Sequence, residues 1–300
     1  MDRISTFNQQ RLFISQALEV QKRYAAEQTQ EATSIKSLTY DGYGADSRTI
    51  ISLETDLKMA DQYVSSGTIV AARVQGAYSA VTSIVDITTS ARTWLSSLLS
   101  GATDDISGAN VQAMAYLDEV ASLLNTDIDG YYVFAGSALT TAPVDIGSYA
   151  ATDAATIDTS YYQGSASGAS YEAAPGLTIE YSSNAGGSGF EKLMRSLSLA
   201  AQASEDPADL DTMQDAYDLL DQAIDEITVE QSRLSGIANS VDDAMDRNVD
   251  FQLYVDSLVD DLKSVDVAEI TAKLSATELQ LETSYSVLKA LQSINLLDYL

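Results

Sequence analysis

Residues 210–265, LDTMQDAYDLLDQAIDEITVEQSRLSGIANSVDDAMDRNVDFQLYVDSLVDDLKSV, decide the fold. Counting from Leu210 in alternating steps of three and four gives Leu210, Met213, Tyr217, Leu220, Ile224, Ile227, Glu230, Leu234, Ile237, Val241, Ala244, Asn248, Phe251, Val255, Leu258, Leu262 and Val265. Fifteen of these seventeen positions are apolar, and the alternation slips once, where Ile227 to Glu230 repeats a step of three. A 3.5-residue repeat sustained this long predicts a helix wound against a neighbour with a left-handed twist. Asp206 as N-cap, Pro207 at the first helical position and Asp209 in the first turn predict its start. At 1.5 Å per residue it would run roughly 85 Å.

Upstream, a weaker stripe holds the same spacing through Leu53, Leu57, Ala60, Val64, Gly67, Ala71, Val74, Tyr78, Val81, Val85, Thr88, Arg92, Leu95 and Leu99. Gly101 and Gly108 interrupt, and a shorter amphipathic segment through Met114, Leu117, Val120 and Leu124 is expected to stop at a left-handed Gly130. All three prolines (Pro143, Pro175, Pro207) and nine of the sixteen glycines, from Gly130 to Gly189, lie in the middle third or at its far edge. The flanking arms are proline-free, as long helices require, because an internal proline costs about 3 kcal/mol. Residues 131–134 and 177–181 read as strands among turn formers. The expected class is mainly α with a small β module: a long antiparallel coiled-coil-like helical rod, paired terminal helices and a β-rich central insertion.

The two ends carry stripes of their own. Ile4, Phe7, Arg11, Ile14, Leu18, Gln21, Ala25, Gln28, Ala32 and Ile35 form one, with three polar residues in the seam. Val267, Ile270, Leu274, Thr277, Leu281, Ser284, Leu288 and Leu291 form the other, two residues out of step with the preceding helix. Asp266 followed by Glu269 reads as a helix restart, so a break is expected near Ser264 to Asp266. The domain reading is therefore 1–40 plus 266–300 as paired terminal helices, 41–129 plus 191–265 as the helical rod, and 130–190 as the β-rich centre. Polar seam residues are costly in a dry core and tolerable in a wet interface, which points to packing against neighbouring subunits.

Composition removes whole classes of function. The 300 residues hold 16 Lys and Arg against 44 Asp and Glu, a net charge of −28 that repels nucleic acid and anionic lipid. With neither His nor Cys, there is no imidazole base, no Ser–His–Asp or thiol catalysis, no His- or Cys-ligated metal and no disulfide. The chain offers no coherent nucleophile, base or metal set, so no enzyme and no cofactor are expected. Asn125, Asp127, Asp129 and Gly130 match the opening of a calcium loop, but its twelfth position is Gly136 where a Glu is needed. Paired aspartates such as Asp242–Asp243 point about 100° apart on a helix and read as solvated faces. Tyr161, Tyr162, Tyr171 and Tyr181 are either half-buried strand residues or a carbohydrate- or protein-binding surface. The first twenty residues lack the apolar centre of a secretory signal, so export without a cleaved leader is expected. Membrane insertion is not expected, because no run of about 18 apolar residues exists.

Several segments carry a family resemblance. The opening DRIST (2–6), the turn segment YDGYGADSRTIISLE (40–54), DGYYVFAGSALTTAPV (129–144), Tyr162-Gln163-Gly164, Gly189-Phe190-Glu191-Lys192-Leu193 and the end SYSVLKALQSINLLDYL (284–300) occur in this order. Together they resemble the bacterial flagellin-like family, and specifically its hook–filament junction branch. The resemblance implies a structural subunit exported by the flagellar type III apparatus, with terminal helices that are mobile in the monomer and order on assembly. It implies neighbouring copies, the preceding hook-associated protein, flagellin and an export chaperone as partners, and a location in the secreted flagellum. Ile4, Phe7, Ile14, Leu18, Leu281, Leu288 and Leu291 are the residues expected at the assembly interface. A flagellin-type filament subunit and an exported surface adhesin are the alternatives.

Copies of a chain carrying −28 must repel one another at long range. Incorporation is therefore expected to rise with salt as the Debye length falls below about 10 Å. Incorporation efficiency that stays constant across that range, measured by immunoblot of purified assemblies, would contradict this.

Overall fold

The computed structural model describes residues 2–101, 108–204 and 209–293. Among the described residues six α-helices dominate: α1 (Asp2–Thr33), α2 (Ser47–Leu99), α3 (Ala109–Leu124), α4 (Ser188–Ala203), α5 (Leu210–Lys263) and α6 (Val267–Ser293). A 3₁₀ segment, Tyr40–Asp46, joins α1 to α2. Two small antiparallel hairpins pair β1 (Asp127–Ile128) with β2 (Tyr131–Tyr132), and β3 (Ser170–Ala174) with β4 (Leu177–Glu180). The class is mainly α with a small β module, as the sequence predicts. The chain forms two compact units, Met1–Lys58 with Gln252–Leu300, and Met59–Phe251.

In the larger unit α2 and α5 run antiparallel, since Arg92 pairs with Asp221 (3.1 Å), Thr82 accepts from Gln231 (2.9 Å) and Thr68 reaches Met245. On α5 every seventh residue of the predicted stripe, Met213, Leu220, Ile227, Leu234, Val241 and Asn248, is buried. On α2 Ala60, Val74, Val81, Thr88 and Leu95 are buried at the same interval, with Gly67 in step. The companion positions on α2 differ from expectation. Val70, Ala77, Ile84, Ala91 and Leu98 are buried, while Val64, Ala71, Tyr78, Val85 and Leu99 are only half-buried. The cause is additional cover: the 77–98 flank shares one core with α3 and α4, and Val70 shares another with Tyr171 and Tyr181.

Gly130 does not end a helix. Helix α3 stops at Leu124, and Asp129 (φ 54°) with Gly130 (φ 77°) forms the two-residue loop between β1 and β2. Two successive positive φ angles define the type I′ turn whose twist suits a hairpin, and Asp-Gly is among its preferred pairs. The sequence resembling a calcium loop is spent on structure. Asn125 clamps Val144 through both its side-chain atoms (2.8 and 2.9 Å), and Asp127 accepts from the Gly130 amide (3.2 Å). Asp206 and Pro207 lie outside the described residues. Asp209 is itself a cap of α5: its carboxylate accepts from Asp211 N (3.1 Å) and Thr212 N (3.2 Å), and its carbonyl accepts from Met213.

The β3–β4 hairpin, turned by Pro175 and a positive-φ Gly176, straps the helix pair. The Tyr171 hydroxyl donates to Tyr63 O (2.6 Å), the Asn248 amide donates to Ala173 O (2.8 Å), and Arg73 donates to the Tyr181 hydroxyl (3.2 Å). Asn248 is thus a polar seam residue with its hydrogen bonds made, which removes the penalty of burying it. Beneath the hairpin, a Cβ on Gly67 would stand 2.7 Å from Met245 Cγ and 2.8 Å from the Tyr171 hydroxyl. Gly67→Val is therefore expected to cost about 1–3 kcal/mol by overpacking. A urea midpoint no lower than the parent's would show that the seam has slack there.

Candidate assembly interface

In the smaller unit α1 and α6 pack together as an antiparallel pair: Thr271 donates to Glu31 (2.8 Å), and Phe13 and Gln16 share a groove with Thr283 and Val287. The break between α5 and α6 falls at Ser264–Asp266, with Asp266 capping α6 through Ala268 N (2.9 Å) and Glu269 N (3.2 Å). Glu269 pairs with Lys273 (2.7 Å) further along α6.

On α6 the inward face is the stripe read from the sequence. Ile270 and Thr277 are buried, and Leu274, Leu281, Ser284 and Leu288 are half-buried. On α1 it is not. Ala17 and Val20 are buried and Phe13, Tyr24, Glu27 and Glu31 half-buried, a stripe one residue earlier than Ile14, Leu18, Gln21, Ala25, Gln28 and Ala32. One residue is about 100° of helix, so the expected stripe faces away from the pair. Ile14 is 46% exposed and Leu18 53% exposed. The seven residues expected at the interface are therefore split. Leu281 and Leu288 serve the pair itself, whereas Ile14 and Leu18 stand outside it. Ile4 and Phe7 lie in α1 and Leu291 in α6, with side chains outside the described set.

Residues that the sequence reading did not single out complete the exposed apolar surface of this pair. Leu279 is 65% exposed, Leu12 56% and Val287 40%. Leu279 and Val287 line a groove of about 400 Å³ with Phe13, Gln16, Ala276, Gln280, Thr283 and Ser284. Helix periodicity could have found it, because Ala276, Leu279, Thr283 and Val287 repeat at three and four residues beside the inner stripe.

The chain between α1 and α2 is tied to the break between α5 and α6. Val265 N donates to Ser34 O (3.0 Å), and Lys36 N donates to Lys263 O (2.8 Å), a short antiparallel ladder around Ile35 and Ser264. The Glu54 carboxylate accepts from the Lys263 ammonium and from the Tyr40 hydroxyl (2.5 Å). The hydrogen bond from Lys263, then that from Tyr40, hold the Glu54 carboxyl below its ordinary value, while the Glu54 partner raises Lys263. The Tyr43 hydroxyl closes the same loop on Ser37 O (2.5 Å).

None of the four central tyrosines singled out in the sequence is exposed. Tyr161, Tyr171 and Tyr181 are buried, and Tyr162 is half-buried with its hydroxyl on Ser165 O (2.8 Å). Burial pushes Tyr162 up to about 12 and Tyr161 well above the usual phenol range. The buried charges of this unit are paired: Arg195 Nε lies 2.9 Å from Glu191, whose carboxylate also accepts from Asp158 N (2.9 Å). Among the described residues no group of three or more acidic side chains is placed to hold a metal ion.

Residues 217–300 match the family described as the bacterial flagellin C-terminal helical region. That likeness is to the C-terminal part of this chain. The fold is similar to that of a structure described as a flagellar hook-associated protein from Vibrio parahaemolyticus (19% identity, TM-score 0.61), over 73% of this chain and 97% of that one. It is also similar to FlgL of Bacillus cereus (15% identity, TM-score 0.50), over 70% and 98% respectively. At these identities the likeness is one of fold. No curated protein matches this chain by sequence. The matched region spans α6 and all but the first turns of α5, so it includes the Lys263 side of the ladder and the α6 wall of the groove.

The Glu54–Lys263 pair sets a pH dependence for the ladder. A lowered carboxylate contributes stability above its unfolded pKa and loses it as pH falls through the folded one, so the ladder weakens below about pH 4. The raised Lys263 adds a second loss as pH climbs past the ordinary lysine range. Glu54→Gln is expected to cost about 0.5–1 kcal/mol at neutral pH, as partly exposed pairs do, and to flatten the acid limb. Hydrogen exchange at the Lys36 and Val265 amides measures it; an unchanged acid limb in the variant would remove Glu54 from the clamp.

Proposed function

We propose that this chain is a structural subunit of the bacterial flagellum, an adaptor of the hook-associated protein 3 type between the hook-associated zone and the flagellin filament. It catalyses nothing. It is exported through the flagellar type III channel and assembled through α1 and α6 with neighbouring copies of itself, the preceding hook-associated protein below and flagellin above. One observation carries the reading: the α1–α6 pair leaves Leu12, Ile14, Leu18, Leu279 and Val287 at 40–65% exposure on a two-helix unit. Exposed apolar surface gathered on one element marks an interaction site. The shared fold with FlgL and the hook-associated protein supports the junction over other positions, as do the DGYYVFAGS segment and the Leu-Leu-Asp-Tyr-Leu end. A flagellin-type filament subunit is the second reading, favoured by the match to the flagellin helical region.

The structure's split of the interface residues changes which substitutions report on assembly. Ile14 and Leu18 face outward, so a charge there leaves the pair intact and meets its penalty only on docking. Leu288 faces α1, so a charge there disturbs the pair itself.

Deleting the gene in its host should leave bare hooks by electron microscopy, with flagellin free in the medium by immunoblot. Complementation with Leu18→Asp should leave the purified protein's thermal midpoint within about 2 °C of the parent and reduce flagellation at least tenfold. Normal filaments in the deletion strain would overturn the junction role.

A further inference from the structure

Among the described residues, one methionine is both reachable from solvent and built into a core. Met194 and Met213 are fully buried, while Met59 on α2 and Met114 on α3 are exposed. Met245 packs against the core of Val70, Tyr171, Tyr181 and Val241, yet is itself only half-buried. The chain has no cysteine, so thioether sulfur is the side-chain atom that a hydroperoxide oxidises most readily.

The surroundings of that sulfur leave no place for an added oxygen. A Cβ on Gly67 would stand 2.9 Å from Met245 Sδ and 2.8 Å from the Tyr171 hydroxyl. The space between α2, Met245 and the β3–β4 hairpin therefore does not admit one more atom. A sulfoxide oxygen is also a strong acceptor, and the hydroxyls beside it already have acceptors of their own. Tyr171 donates to Tyr63 O (2.6 Å), and Thr68, 3.8 Å from the sulfur, donates to Val64 O (3.0 Å). Either the new oxygen draws the Tyr171 proton away from Tyr63 O, or the oxidised side chain swings out and leaves a gap opposite Gly67. Both undo the hairpin's attachment to α2 at Tyr63, leaving Asn248 and Arg73 to hold it through Ala173 O and the Tyr181 hydroxyl.

We propose that Met245 is a site of reversible oxidation, at which a hydroperoxide loosens the β3–β4 hairpin from the helix pair. The sulfur lone pair forms an S–O bond to one peroxide oxygen and the O–O bond breaks. The proton on the transferred oxygen leaves with the other oxygen, which departs as water when the oxidant is hydrogen peroxide. Sulfur loses two electrons and the peroxide gains them. The product turns a flexible apolar side chain into a polar one, and reduction to the thioether reseats the hairpin.

Full-length protein treated with hydrogen peroxide tests this, followed by peptide mass spectrometry and hydrogen exchange. Conversion of Met245 is expected to raise exchange across residues 170–180 at least about tenfold, with residues 127–132 unchanged. Methionine sulfoxide reductases for both epimers are expected to reverse the rise. Met245→Leu keeps the apolar volume without the sulfur and is expected to stay unresponsive. A Met59→Leu, Met114→Leu double variant is expected to respond as the parent does, which keeps the test decisive if Met245→Leu folds poorly. Met245 left unoxidised once Met59 and Met114 are converted overturns the proposal. So does Met245 sulfoxide with unchanged exchange at 170–180, the same rise in Met245→Leu, or a rise that persists under the reductases.

Discussion

A seven-residue interval along two antiparallel helices is the constraint on which the larger unit depends. An ideal helix drifts about 20° per heptad from a strict 3.5-residue repeat, so keeping Ala60, Gly67, Val74, Val81, Thr88 and Leu95 in one seam forces α2 to wrap around α5. Buried residues at matching intervals on α5, from Met213 to Asn248, meet it. The seam is uneven in volume, and the unevenness places the other elements. Where α2 offers only Gly67, Met245 enters from α5 and Tyr171 from the β3–β4 hairpin. Asn248 takes that hairpin's Ala173 carbonyl. At the far end α2 shares its core with α3 and α4, and the flank of α2 that they cover is buried with it.

How legible this was in the sequence depended on how many stripes a helix carries. Helix α5 has one apolar stripe among acidic residues, and its every-seventh positions from Met213 to Asn248 are buried as read, whereas Ala216 and Ala223 are buried in place of Tyr217 and Ile224 and Phe251 is exposed. Helix α2 has apolar residues on both flanks of its seam, and single-helix periodicity cannot say which flank a third element will cover. Helix α1 has two stripes one residue apart. The Ile14–Leu18 stripe has the larger aliphatic side chains and dominates the pattern, yet the fold turns Phe13, Ala17, Val20 and Tyr24 inward. The turn at Asp129-Gly130 was readable as a hairpin and was lost to the stronger expectation that glycine ends a helix. Strand β3, SYEAA, carries too little β-branched character to announce itself.

Charge is distributed in a way that separates the units. In the larger one, buried ionic groups are few and paired, as Glu191 with Arg195, and irregular chain is held by side chains of α4: Asp158 by Glu191, Ala151 by Ser198 (3.0 Å) and Gln202 (3.0 Å). Such a loop needs no strand of its own, because its main-chain groups already have partners. The chain has no histidine, the side chain whose ordinary pKa lies nearest neutral pH.

In the smaller unit the helices are long and the seam between them is thin. Among its described residues, α1 and α6 bury fully only Ala17, Val20, Ile270 and Thr277. Burying a Val or Ile side chain contributes about 1.5–3 kcal/mol, and Ala and Thr contribute less. Fixing each residue's backbone costs about 1–2 kcal/mol before its hydrogen bonds offset any of it. Isolated helices of ordinary composition do not escape that deficit, since most helical stability comes from an amphipathic face packed against something. Large apolar side chains of this pair stay exposed, among them Ile14 and Leu18 of the outward stripe and Leu279 and Val287 of the groove. Under the proposed function, the missing packing is supplied by the neighbouring copy, and ordering of the terminal helices and assembly become one equilibrium. The Ser34–Lys36 and Lys263–Val265 ladder then holds the origins of both helices side by side, so that ordering either one starts from a fixed neighbour.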